Sequence, residues 1–128
     1  MIWAGDFNRH HPLWDDDNDI HLFTPQATHQ AENLIELITN YELNMALPKG
    51  IPTLQHMVTK KYSRPDNLFN TNGLTDLITL CKVDPTIRPP CTDHFPIITN
   101  IQTPQQKADN NTHFNSREID WPGFRKNL

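Results

Sequence analysis

The chain has 128 residues, enough for one domain, and its 36% hydrophobic share with eleven prolines against four glycines allows only a thin core. A net charge of -4 with neutral histidines, and basic residues scattered apart from Lys60, Lys61 and Arg64, exclude a generally basic nucleic-acid binder. Cys81 and Cys91 lack zinc-ligand spacing and no apolar run approaches the roughly 20 residues of a membrane span, so a soluble intracellular chain with two reduced, partly buried thiols is expected.

Residues 1–4 read as the tail of a strand that stops at Gly5. Residues 9–27 hold Pro12, Pro25 and the acidic run Asp15, Asp16, Asp17 and Asp19, and read as a loop. A calcium loop would need a glycine at its bend and a distal Glu, both absent, so the four aspartates are expected to be solvated. A helix is predicted over 28–40, with Thr28 as N-cap and Asn40 at its end. Ala31, Leu34, Ile35, Ile38 and Tyr41 share one face, while Glu32, Asn33, Glu36 and Thr39 point outward.

Short strands follow at 43–47, 53–55 and 67–70. Residues 74–83 read as a short helix leading into a strand, Pro85, Pro89 and Pro90 as a rigid loop, and 95–101 as an alternating strand. The polar stretch beginning at Thr103 has linker composition, and Trp121 and Phe124 fall in a tail expected to form one short helix. Short strands, one amphipathic helix and long loops imply an α+β architecture.

Two clusters carry chemistry. Gly5-Asp6-Phe7-Asn8 sits at a strand-to-loop junction, where the strand fixes the backbone and the loop opens to solvent. Asp6 and Asn8, two apart, share a side if strand geometry continues; a carboxylate and an amide there position a water and a phosphate oxygen. Thr92-Asp93-His94-Phe95-Pro96-Ile97 opens the alternating strand, and at an irregular first residue both Asp93 and His94 reach a common site. A histidine there donates to a phosphate. Gly, Asp and Asn also favour ordinary turns, so neither cluster decides the matter alone.

Together the clusters resemble the second-half signatures of endonuclease/exonuclease/phosphatase domains, the DNase I-like family. Arg64-Pro65-Asp66-Asn67-Leu68-Phe69 resembles the family's Arg-x-Asp-Tyr segment, 27 positions before Asp93. His11-Pro12-Leu13-Trp14 resembles non-LTR retrotransposon members in particular, and Asn115, Asp120-Trp121 and Phe124 resemble the start of a segment leading toward a reverse transcriptase. The resemblance implies the C-terminal half of a four-layer α/β-sandwich, mostly antiparallel with a covering helix. Residues 1–102 would belong to the nuclease domain and 103–128 to the linker.

The implied activity is metal-dependent phosphodiester hydrolysis, a DNA-nicking endonuclease. A catalytic set of Asp6, Asn8, Asp66, Asp93 and His94 follows, with Asp6 and Asp93 also holding Mg²⁺ or Mn²⁺. Asp66 would orient His94, with Asp76 as the alternative partner. A small-molecule phosphatase would not account for His11-Pro12-Leu13-Trp14. The resemblance also implies a first half that supplies an early Asn, a metal-binding Glu and a Tyr from outside this sequence. Without the partner sheet, normally packed about 10 Å away, an apolar face meets water. The chain alone is therefore expected to be unstable or self-associating, and inactive. Its expected partners are DNA for the full-length parent, the missing half-domain or a second copy, with nuclear location if the parent element is active. A decayed, non-catalytic remnant or interaction module is the alternative.

Overall fold

The computed structural model describes residues 1–103. Apart from its first residue, the polar stretch and tail read at 103–128, with Asn115, Asp120, Trp121 and Phe124, lies outside the described residues. The framework is an antiparallel sheet of β1 (Ile2–Asp6), β5 (Asp66–Thr71) and β2 (Leu43–Met45), with β5 in the centre. Two antiparallel ribbons accompany it: β3 (Leu54–Gln55) with β4 (Tyr62–Ser63), and β6 (Ile78–Val83) with β7 (Ile97–Ile101). The helices are α1 (Pro25–Asn40) and the four-residue α2 (Asn72–Thr75). The strands thus form one three-stranded sheet and two separate two-stranded ribbons. No helix among the described residues is long and apolar enough to cross a membrane.

α1 begins one turn before the predicted start. Thr24, not Thr28, is its N-cap: the Thr24 hydroxyl accepts from the Ala27 N–H at 3.1 Å, and Pro25 occupies the first turn, where its missing N–H costs nothing. At the far end the left-handed residue is Glu42 (φ 49°), two positions beyond Asn40. The outward face is as predicted, and Ala31 and Leu34 are buried, whereas Tyr41 is exposed.

Strand alternation then decides what each face of the sheet carries. Trp3 and Phe69 lie opposite each other in the β1–β5 register and pack with Phe7, Trp14, Leu34 and Leu43 into the core beneath α1. The Trp3 and Phe7 rings meet edge to face at 4.8 Å. On the opposite face the same register sets Asp6 against Asp66 and Ala4 against Leu68. That face is not uniformly apolar. Asn70 is buried there, and its side chain donates to the Thr75 hydroxyl at 2.8 Å, which docks α2 onto β5.

The acidic loop holds a second surprise. Asp15 is not solvated but fully buried, and its Oδ2 accepts from the His11 N–H at 2.8 Å. Trp14 sits in the core with its indole N–H donated to the Arg9 carbonyl, 2.9 Å away, and with the His11 ring tilted against it at 5.4 Å. His11 and Trp14 therefore fasten this loop to the sheet. Of the two thiols, Cys81 is partly buried and Cys91 is exposed.

Candidate active site

The site forms where β1 and β5 end side by side. Asp6 is the last residue of β1 and faces Asp66, the first residue of β5. Beyond them the Phe7 N–H donates to the Pro65 carbonyl at 3.0 Å, which closes the strand end. The chain then departs from strand geometry: Asn8 is left-handed (φ 47°), a conformation asparagine tolerates better than most residues. Its N–H donates to Asp6 Oδ1 at 2.9 Å. Arg9 locks this bend, donating from its guanidinium to the Asn8 carbonyl (2.8 Å) and to the Gln30 carbonyl on α1 (2.9 Å).

His94 arrives from the other side of the molecule. Leu54 of β3 bridges His94, the Gln55 N–H donates to the Asp93 carbonyl (2.9 Å), and the Phe95 N–H donates to the Thr53 carbonyl (2.7 Å). This anchoring precedes β7, so the irregular start expected at residues 93–94 is observed. The His94 Nδ1–H donates to Asp66 Oδ2 at 2.8 Å, leaving Nε2 at 4.0 Å from Asp6 Oδ2 and 3.9 Å from Asp93 Oδ1. Asp76 is exposed at the end of α2 and is not the histidine's partner.

Thr53 was not singled out by the sequence, yet it joins the two halves of the site. Fully buried, it donates its hydroxyl to Asp66 Oδ2 (2.8 Å) and accepts the Asp66 N–H (3.1 Å) with the same oxygen. Its main chain holds the segment that carries His94. A threonine between Pro52 and Leu54, just before β3, gives no local sign of this; only the fold brings it to Asp66. Asp66 Oδ2 thus accepts two hydrogen bonds, and the carboxylate is fixed in direction.

The electrostatics follow from this packing. Partial burial pulls the His94 imidazole down, but the Asp66 hydrogen bond and the charges of Asp66, Asp6 and Asp93 outweigh it and hold His94 above its ordinary value. Directly opposed carboxylates on neighbouring strands repel, so the Asp6–Asp66 pair favours positive charge between them. Donor atoms of Asp6, Asp66 and His94 lie within 4.8 Å of one another, a grouping suited to a metal ion. Asp93 is outside that tight group and adjoins it only at His94 Nε2.

Arg64, two residues before Asp66, is a structural cation. It is buried, donating to the carbonyls of Leu47 (2.9 Å), Pro48 and Trp14 (3.1 Å) and twice to Asn67 Oδ1 (3.0 and 2.8 Å). Burial lowers it to about 10, the nearby charge of Asp15 opposing the shift, so it stays protonated at neutral pH. Although it stands near Lys60 and Lys61 in the sequence, it ties the loops of Trp14 and of Leu47 and Pro48 to β5.

The family model described as endonuclease-reverse transcriptase matches residues 1–98. The chain belongs to the endonuclease-reverse transcriptase family. Among solved structures, the endonuclease domain of TRAS1, a telomere-specific non-LTR retrotransposon, is similar at 24% identity with a TM-score of 0.62. The match covers 81% of this chain and 44% of that one, so the chain spans less than half of the TRAS1 domain. This likeness shows the DNase I-like fold expected from the motifs. No curated protein matches the chain. In this endonuclease-reverse transcriptase chain, the structure gathers Asp6, Asp66, Asp93 and His94 at one place, with Asn8 at its rim.

Proposed function

We propose that this chain carries part of the active site of a DNA-nicking endonuclease that hydrolyses phosphodiester bonds with a divalent cation. The observation that supports it best is the His94–Asp66 pair facing Asp6, because a fixed imidazole N–H beside a carboxylate suits water attack on phosphorus. In this reading Asp6 orients the attacking water and accepts its proton while one P–O bond breaks. Asn8 donates its side-chain amide to a phosphate oxygen. His94 donates its Nε2–H to a non-bridging oxygen as charge grows there, and Asp66 keeps the imidazole aimed and protonated. Asp93, beside Nε2, assists at the leaving group.

Asp6 and Asp93 would hold the Mg²⁺ or Mn²⁺ ion, since carboxylate oxygens suit hard cations, with Asp93 turning from its position beside His94 Nε2 to join Asp6. When bound, such an ion supplies neutralisation of phosphate charge. The test is nicking of supercoiled plasmid by the purified chain with either cation, beside Asp6→Ala and His94→Ala. Nicking by the wild type with a loss of about 100-fold or more in both variants would support this reading and overturn the expectation, drawn from the missing half, that the chain alone is inactive. Equal rates in all three would point to a contaminating nuclease. A second reading is favoured by the 44% coverage of the matched domain: a non-catalytic module that keeps the site by descent. It predicts no nicking by any of the three proteins.

A further inference from the structure

A cleft of about 330 Å³ opens between the β3–β4 hairpin and the proline loop that precedes Asp93. Its size falls at the low end of the roughly 300–1,000 Å³ typical of small-ligand sites. Phe95 is buried at its base, and Val83 and Pro85 line one wall. Tyr62, 52% exposed, stands over the opening with its ring 6.4 Å from that of Phe95. The Arg88 guanidinium carbon lies 5.6 Å from the centre of the Phe95 ring. Arg88 is exposed, so its guanidinium is accessible.

The cleft has one cation and no acidic residue among those lining it. Asp84, between two wall residues, turns its carboxylate to Thr86 (2.5 Å) and Lys82 (3.8 Å) instead. It also shares its framework with the proposed site. Phe95 directly follows His94, and Gln55, which lines the cleft, donates its N–H to the Asp93 carbonyl. The cleft and the proposed site are therefore built on the same backbone segment.

We propose that the cleft is a subsite for one unpaired nucleobase of the strand held at His94. The base stacks on Tyr62 and on the Arg88 guanidinium. Aromatic rings and guanidinium planes are the usual platforms for unstacked bases, and they accept any base because each has a π-face. A single cation beside the stack suits the phosphate that comes with the base. The proposal rests on the phosphodiester reading of the neighbouring site, and its test separates the two.

The probe is a short single-stranded DNA carrying one 2-aminopurine, titrated with the full chain in EDTA at low salt, so that no cleavage occurs. Stacking quenches the fluorescence, and saturable quenching is expected. Tyr62→Ala or Arg88→Ala should weaken binding about 5- to 100-fold, whereas Tyr62→Phe, which keeps the ring, stays within about twofold. Both side chains are exposed enough for substitution to leave the fold intact, which circular dichroism checks. Quenching is read without metal and without cleavage, so a failure of plasmid nicking would leave this proposal standing. Absent quenching by the wild type, or quenching unchanged in both Tyr62→Ala and Arg88→Ala, would overturn it.

Discussion

His94 has one ring nitrogen committed to Asp66 and the other facing two further carboxylates, so its protonation state reports the assembly of the whole site. Free imidazole titrates near about 6.5. In the metal-free chain the His94 ring protons should titrate above that in an NMR series, and Asp66→Asn should bring them down. Thr53→Val, which removes the hydroxyl that fixes Asp66, should reduce the shift without abolishing it. A group whose folded value is raised contributes stability that is fully present below its unfolded value and is lost as pH rises through the folded one. Urea stability should therefore decline as pH rises from about 6.5 through the raised value, and Asp66→Asn should flatten that slope. A His94 titration indifferent to Asp66→Asn would show that the pairing does not persist in solution. At this scale the sequence was informative where chemistry and chain order coincide: Asp6, Asp93 and His94 stand in recognisable strings. Thr53 acts through a contact thirteen residues away, and nothing in its neighbours signals a buried hydroxyl with two partners.

The elements meet through Arg64, whose guanidinium satisfies carbonyls from residues 14, 47 and 48 together with the Asn67 side chain. Replacing it with alanine strands several buried acceptors at once, each worth about 1–3 kcal/mol when left unpaired. We expect Arg64→Ala to lower unfolding stability by roughly 3–5 kcal/mol in urea titrations, and Lys61→Ala, on the exposed hairpin, by less than about 0.5 kcal/mol. A loss below about 1 kcal/mol for Arg64→Ala would mean that water replaces the guanidinium easily. α1 was legible in the sequence because its apolar period, from Ala31 to Tyr41, runs for about three turns. Its start was misplaced by one turn because both Thr24 and Thr28 suit an N-cap, and Pro25 decides between them only when read as a first-turn residue. The two-residue strand β4 was missed because Tyr62-Ser63 has no period to read; its partner β3 is what makes it a strand.

Across the whole molecule, apolar side chains remain open on more than one sheet: Ile2 on β1, and Leu80 and Ile101 on the β6–β7 ribbon, are each 38–40% exposed. Such surface favours association. Sedimentation at micromolar concentration is expected to give a mass above the 14.9 kDa of one chain, falling toward that value when Leu80 and Ile101 are both changed to Lys. A single-chain mass at every concentration would show that these side chains are covered within one molecule. The division into sheet and ribbons was not legible beforehand, because alternation identifies strands but not which of them pair. One pairing also limits how this sequence can change by insertion or deletion. Because Asp6 lies opposite Asp66 and side chains alternate along each strand, one added codon within residues 2–6 or 66–71 would turn one of these aspartates toward α1 while the sheet could still form. The same codon within residues 56–61 or 15–24, outside every β-strand, would leave that register untouched. Length variation among copies of such a sequence should therefore accumulate in those loops, and copies with a one-codon change in β1 or β5 should be the ones in which Asp6 and Asp66 no longer share a face.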